Sequence, residues 1–134
     1  MTGVICGTGS YVPPYRMDNN AIAELVDTND AWIRERTGIG YRHIARDETT
    51  VSMACEAGRR ALDNAGMEAD AIDLILISTM SSNVIMPCTA CEVQKELGAV
   101  HAACFDLNGA CSGFVLAWNT AESYLASGIC RTGW

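Results

Sequence analysis

Cys111 is the residue whose surroundings speak most directly for chemistry. It stands in Phe105-Asp106-Leu107-Asn108-Gly109-Ala110-Cys111-Ser112-Gly113-Phe114. Around it, an apolar run from His101 to Leu107 reads as a short strand, Asn108-Gly109 as a turn, and Cys111 to Ser127 as a helix. A thiol at such a strand-to-helix turn faces the unpaired first N–H groups of the helix and the positive end of its dipole. Both favour thiolate over thiol, and thiolate is the form that attacks carbonyl carbon. The small neighbours Gly109, Ala110, Ser112 and Gly113 leave room for a thioester to approach. The competing assignment is a cysteine that only packs, the commoner use of this residue.

Other residues invite similar weighing. Trp32 and Arg36 are four apart on a short expected helix and share a face. A ring beside a guanidinium can clamp a purine and its phosphate, or the tryptophan can simply pack. Cys88-Thr89-Ala90-Cys91 has the spacing of a redox pair at a helix start, whereas zinc needs two more ligands and none is near in sequence, so no metal site is expected. His43 and His101 stand alone near apolar positions and are given structural roles. The arginines from Arg34 to Arg46 form either a solvated face paired with Glu35, Asp47 and Glu48 or a phosphate contact. Gly7-Thr8-Gly9 suggests a dinucleotide loop, but Val12 holds the third glycine's place and Pro13-Pro14 blocks a helix there, which rejects it.

These side chains require a scaffold, and the patterning describes one. Val4 to Gly9 reads as a buried first strand. Asp18 caps a short helix through Ile22, Leu25 and Val26, and Asn29 or Asp30 caps another that Gly38 stops. Tyr41 to Ala45 is a short extended piece, and this whole region resembles an insertion carrying binding residues. Thr49 or Thr50 opens an amphipathic helix with Val51, Ala54, Cys55, Gly58, Ala61, Leu62 and Ala65 on one face and Gly66 as its C-cap. Leu74 to Thr79 is a continuous apolar run, as in a central parallel strand covered on both faces. The polar loop Ser81-Ser82-Asn83 leads to a helix with Pro87 in its first turn, ending at Leu97-Gly98. From Ser112 to Ser127 the only charge is Glu122, so this last helix should be buried between two layers, one of which the chain does not supply. The order implies a right-handed, parallel α/β sheet, with an apolar strand expected after Gly128 that Arg131-Thr132-Gly133-Trp134 does not provide.

The composition sets outer bounds. With 134 residues, 49% hydrophobic and 19% charged, the chain is globular and of a length for one domain. No apolar run approaches the roughly 20 residues that span a bilayer, and Met1 to Cys6 shows no basic segment ahead of an apolar one, so a cytoplasmic location is expected. Seven cysteines without disulfide spacing fit a reducing compartment, with Cys6, Cys55, Cys104 and Cys130 packing as small hydrophobes. Net charge is −7, and seven of nine cations lie in the first 60 residues against eight acids. An acidic chain with no basic stripe is not expected to bind nucleic acid.

Several blocks together identify a family resemblance. Gly7-Thr8-Gly9-Ser10-Tyr11-Val12-Pro13, Asp27-Thr28-Asn29-Asp30-Ala31-Trp32-Ile33, Arg36-Thr37-Gly38-Ile39, Arg42-His43-Ile44-Ala45 and Asp106 to Phe114 look like the N-terminal part of β-ketoacyl-acyl-carrier-protein synthase III. That implies an incomplete thiolase-like domain over 1–134: the N-terminal half of an αβαβα fold, with a mostly parallel mixed sheet and an apolar central helix beginning at Cys111. By the same resemblance, Cys111 matches the nucleophile that takes an acyl group from acyl-coenzyme A, Trp32 the residue stacking on the coenzyme A adenine, and Thr28 and Arg36 others at the nucleotide end. Met86 matches a residue that reaches across a homodimer interface toward the neighbouring acyl pocket. The implied reaction is decarboxylative condensation with malonyl-acyl-carrier protein, the first elongation step of fatty acid synthesis. The resemblance implies acyl-coenzyme A as a substrate, and no permanently held cofactor and no membrane partner are expected.

The family's assisting His and Asn, and the glycine completing its oxyanion hole, lie in a C-terminal half that this chain lacks. His43 and His101 match neither catalytic position. The expectation for the 134-residue chain alone is therefore a truncated acyltransferase unable to condense. Two alternatives remain: a non-catalytic fragment pairing with a second copy through the Asn83 to Leu97 region, and a thiol-redox module using Cys88 and Cys91.

Overall fold

A computed structural model describes residues 3–82 and 84–134. Met1, Thr2 and Asn83 lie outside the described residues, and with them the very start of the N-terminal stretch and the first residue of the expected pairing segment. The chain divides into two compact units, one comprising the residues up to Tyr11 with Thr49–Trp134, the other Val12–Glu48.

The smaller unit holds strand β1 (Arg16–Asp18), helix α1 (Asn19–Ala23), helix α2 (Asp30–Thr37) and strand β2 (Tyr41–His43), the strands pairing antiparallel with Met17 opposite Arg42. Asp18 caps α1 by accepting from the Ala21 N–H, and Asn29 caps α2 by accepting from the Trp32 N–H at 2.8 Å, both as expected from their types. Helix α1 stops at Ala23 instead of running through Val26, because Leu25 and Val26 are exposed and an unburied extension of so short a helix gains little. Gly38 ends α2 in the left-handed conformation. The unit is tied by Asn19, only 1% exposed. Its amide donates to Asp30 and to the Ile39 carbonyl, and its oxygen accepts from Arg42, each at 2.8 Å. A buried amide with its partners supplied from a helix, a strand and the loop between them is a specific lock on their arrangement.

The larger unit is built on two parallel strands, β3 (Leu74–Ser78) and β4 (Ala103–Leu107), in register Leu74 to Ala103 through Ser78 to Leu107. Helix α3 (Thr50–Ala65) begins with a Thr49–Ser52 capping box and ends at Gly66, and helix α4 (Thr89–Leu97) ends at Gly98. Helix α5 spans Gly113–Ser127. The core gathers Cys55, Leu62, Ile72, Ile75, Ala90 and Val93, with Ile75, Ala90 and Val93 wholly buried. The continuous apolar run of β3 is thus covered as its pattern requires.

Four expectations are corrected here. Val4 to Gly9 is not a strand, and Val4 and Ile5 are exposed. Side chains hold the segment instead: Glu122 accepts from the Gly3 N–H at 3.0 Å and Asn64 from the Thr8 N–H at 3.0 Å. At Gly7 and Gly9 a Cβ would overlap the Ala61 and Ala57 carbonyl oxygens of α3, so the Gly-x-Gly serves close backbone approach. Pro87 precedes the N-cap Cys88 and lies outside α4. Third, the strand thought missing after Gly128 does begin: Gly133 bridges Leu74 in parallel, Leu76 N–H donates to the Trp134 carbonyl and Trp134 N–H to that of Leu74, both at 2.8 Å. Backbone pairing there needs no apolar side chain, so the hydropathy pattern missed it. Helix α5 shows the uncovered side expected where one of its two layers is not supplied. Phe114, Val115, Leu116 and Trp118 are exposed, and only Gly113 on this helix is buried. Fourth, Cys6 is exposed rather than packed.

Candidate active site

The larger unit places Cys111 by three successive devices. Strand β4 delivers the chain to Leu107, a 3-10 turn spans Ala110–Ser112, and α5 starts only at Gly113. The helix expected from Cys111 therefore begins two residues later, because the turn closes through Ser112 N–H to Gly109 carbonyl and Gly113 N–H to Ala110 carbonyl, three-residue bonds in place of four. Cys111 sits in that turn, a free and exposed thiol. Ala110, beside it, has φ 45°, the one positive φ at a non-glycine among the described residues. Such a conformation costs on the order of 1 kcal/mol or more and persists where surrounding contacts impose it. The imposing contact is next door: Gly113 is buried against the end of β3, where a Cβ would overlap Ser78 Oγ. The turn is thereby pinned to the sheet.

Asp106, one residue before the end of β4, does something its sequence context did not announce. Its two carboxylate oxygens accept from Thr89 N–H at 2.8 Å and Ala90 N–H at 2.7 Å, the opening amides of α4. Cys88, the N-cap, makes no side-chain cap of its own. An acid within an apolar strand, together with a helix start lacking Ser, Thr, Asp or Asn at its cap, was the available signal. The strand leading to Cys111 is so fastened to α4.

In the smaller unit, Ile22, Val26, Thr28, Asn29, Trp32 and Ile33 line an open cavity of about 540 Å³. Trp32 is half exposed, and the Arg36 guanidinium carbon lies 4.5 Å from its ring centroid. The structure thus brings Trp32 and Arg36 together and puts Thr28 with Trp32 on one cavity. Among the described residues, Thr28 Oγ1 is buried without a hydrogen-bond partner. The remaining arginines of this region have intramolecular partners: Arg34 the Asp30 carboxylate, not Glu35, at 2.9 Å, Arg42 the Asn19 amide, and Arg46 the Tyr15 ring. Hydrogen bonds from Asn19, then from Arg34, hold the Asp30 carboxyl below the usual carboxylate range. His43 Nδ1 contacts the Pro13 carbonyl, and His101 is exposed. Met86 stands out to solvent ahead of α4. Among the described residues no group of three His, Cys, Asp or Glu is placed to hold a metal ion, and no helix is long and apolar enough to cross a membrane.

No family model matches the chain. Individual relatives do. A β-ketoacyl-acyl-carrier-protein synthase III of Xylella fastidiosa is 49% identical over 129 residues, covering 96% of this chain and 40% of its own length. One of Clostridium botulinum strain 657 is 48% identical over 121 residues, 90% of this chain and 37% of the relative. Among solved structures, 3-oxoacyl-acyl-carrier-protein synthase III of Aquifex aeolicus superposes with a TM-score of 0.91 at 41% identity, over 96% of this chain and 41% of that one. The priming β-ketosynthase of the R1128 polyketide pathway gives 0.89, also at 41% identity, over 92% of this chain and 37% of that one. The chain spans about two fifths of the length of the relatives it matches. In sequence and in its mixed α/β, thiolase-type fold, the chain matches part of a β-ketoacyl-acyl-carrier-protein synthase III over nearly all of its residues.

Proposed function

We propose that this chain is the acyl-accepting, N-terminal part of a cytoplasmic β-ketoacyl-acyl-carrier-protein synthase III. Cys111 Sγ attacks the thioester carbonyl of an acyl-coenzyme A, the carbonyl oxygen passes through an oxyanion, and the coenzyme A sulfur leaves and takes a proton. The acyl group is then held as a thioester on Cys111. One observation carries this proposal: an exposed thiol in a pinned turn, directly ahead of a helix N-terminus, within a chain nearly half identical to such synthases. Trp32 and Arg36 bind the nucleotide end, ring and guanidinium side by side, while the unpartnered Thr28 hydroxyl gains a hydrogen bond from the ligand. Met86 serves a homodimer of the longer protein.

The condensation that follows needs general acid–base groups and a second oxyanion donor. By resemblance these reside in a C-terminal half outside the 134 residues, so the malonyl-acyl-carrier protein step is not performed by this chain alone. The exposed apolar row of α5 supports the same conclusion, since a solvated helix with one charge is incomplete by itself. Intact-mass spectrometry after incubation with acetyl-coenzyme A should show slow addition of one acetyl group, lost in Cys111→Ala. Acetyl on a different cysteine, or ketoacyl product from the isolated chain, would defeat the proposal.

A further inference from the structure

Three thiols that the proposed acyl chemistry does not use meet at the start of α4. Cys88 Sγ lies 3.3 Å from Cys91 Sγ, which lies 3.1 Å from Cys104 Sγ on β4. All three are free and half-buried. Cys88 and Cys91 are three apart at the helix start, so their side chains share a face. Cys104 is brought to them by the fold, and Gln94 sets its register: the amide donates to the Ala102 carbonyl at 2.7 Å while its oxygen accepts from Cys104 at 3.4 Å. The sulfurs are therefore positioned by a helix, a strand and a side-chain clamp between them. Close packing alone would be met by three small apolar residues, and nothing in it requires sulfur beside sulfur.

We propose that Cys88, Cys91 and Cys104 form a thiol–disulfide site in which Cys91 is the shared sulfur, able to bond to either neighbour, and a low-molecular-weight disulfide is the oxidant. The Cys91 thiolate attacks one sulfur of the oxidant, breaking its S–S bond, forming a mixed disulfide and releasing one thiolate. The thiolate of Cys88 or Cys104 then attacks Cys91 Sγ and expels the second. Two cysteine thiols lose two electrons and two protons; the oxidant gains both and leaves as two thiols. The sulfurs must close from 3.1 or 3.3 Å to a bond of about 2.05 Å, a displacement of roughly 1 Å. The third cysteine remains a thiol. Burial pushes the Cys88 thiol up and the hydrogen bond with Cys104 does the same for Cys91, the Asp106 carboxylate adding to both. Resting thiols of this kind react slowly at neutral pH.

The intact chain would be equilibrated with oxidised and reduced glutathione, quenched with iodoacetamide, and mapped after trypsin. Lys95 lies between Cys91 and Cys104, so a Cys88–Cys91 bond stays within one peptide and a Cys91–Cys104 bond joins two. The expected product has lost two hydrogens, carries an intramolecular disulfide at Cys91, and keeps the third cysteine alkylatable. Cys91→Ala loses that bond and Cys88→Ala diverts it to Cys104, while oxidation in urea scatters over the seven cysteines. Glutathione accumulating on exposed Cys6 or Cys111, with Cys88, Cys91 and Cys104 still alkylated as thiols, would overturn the proposal. So would an unchanged disulfide yield in Cys91→Ala. The parent peptide map decides the matter even if a variant does not fold.

Discussion

Asp106→Asn isolates the contribution of one carboxylate to the framework that presents Cys111. Both donors facing it are sealed from solvent, Thr89 at 1% exposure and Ala90 wholly buried, so water cannot replace a lost acceptor. Asparagine keeps the shape but offers one oxygen, and turns an NH2 group toward the second amide. One of two charge-assisted hydrogen bonds is then lost, about 1.5–3 kcal/mol, and the remaining one is weakened. Removing the negative charge from the N-terminus of α4 costs roughly a further 0.3–1 kcal/mol. The sum for Asp106→Asn is about 2–4 kcal/mol, a large part of a typical domain stability of about 5–15 kcal/mol. Asp106→Ala leaves both buried amides unpaired and should cost about 3–5 kcal/mol. Urea unfolding at constant m-value reads the loss, and amide hydrogen exchange locates it at Thr89 and Ala90. A stability change under about 0.5 kcal/mol, with protection of both amides unaltered, would refute the cap.

Further outcomes are expected. Gly113→Ala drives a methyl group into Ser78 Oγ and should destabilise by about 1–3 kcal/mol while slowing acetylation of Cys111, with partial recovery on adding Ser78→Gly. Trp32→Ala should weaken coenzyme A binding by about 1 kcal/mol, roughly fivefold in Kd by calorimetry, and leave the thermal midpoint nearly unchanged. Because Asp30 titrates below its unfolded value, its contribution to folding is complete above that value and lost as pH falls through the lower, folded one. The Trp32 indole NMR signal should report that acid transition, and Asp30→Asn should flatten it. Iodoacetamide at neutral pH should modify exposed Cys6 and Cys111 well before Cys55 and Cys130, whose thiols burial pushes up.

The residue string determined whatever depends on neighbours along the chain. Asp18, Asn29 and Thr49 cap helices because their oxygens reach amides two or three residues on, and Gly38, Gly66 and Gly98 end helices because only glycine takes the left-handed turn cheaply. The apolar run of β3 and the strand-turn-helix around Cys111 follow from the same short range. Tertiary structure alone decided what joins distant residues. Asn19 locks two helices and a strand, Asp106 caps a helix from another element, Cys104 joins Cys88 and Cys91, and Gly133 pairs with Leu74 through backbone with no apolar signature. Hydropathy also foresaw a first strand at Val4 to Gly9 that does not form. A strand is defined by a partner's amides and carbonyls, and those belong to another part of the molecule.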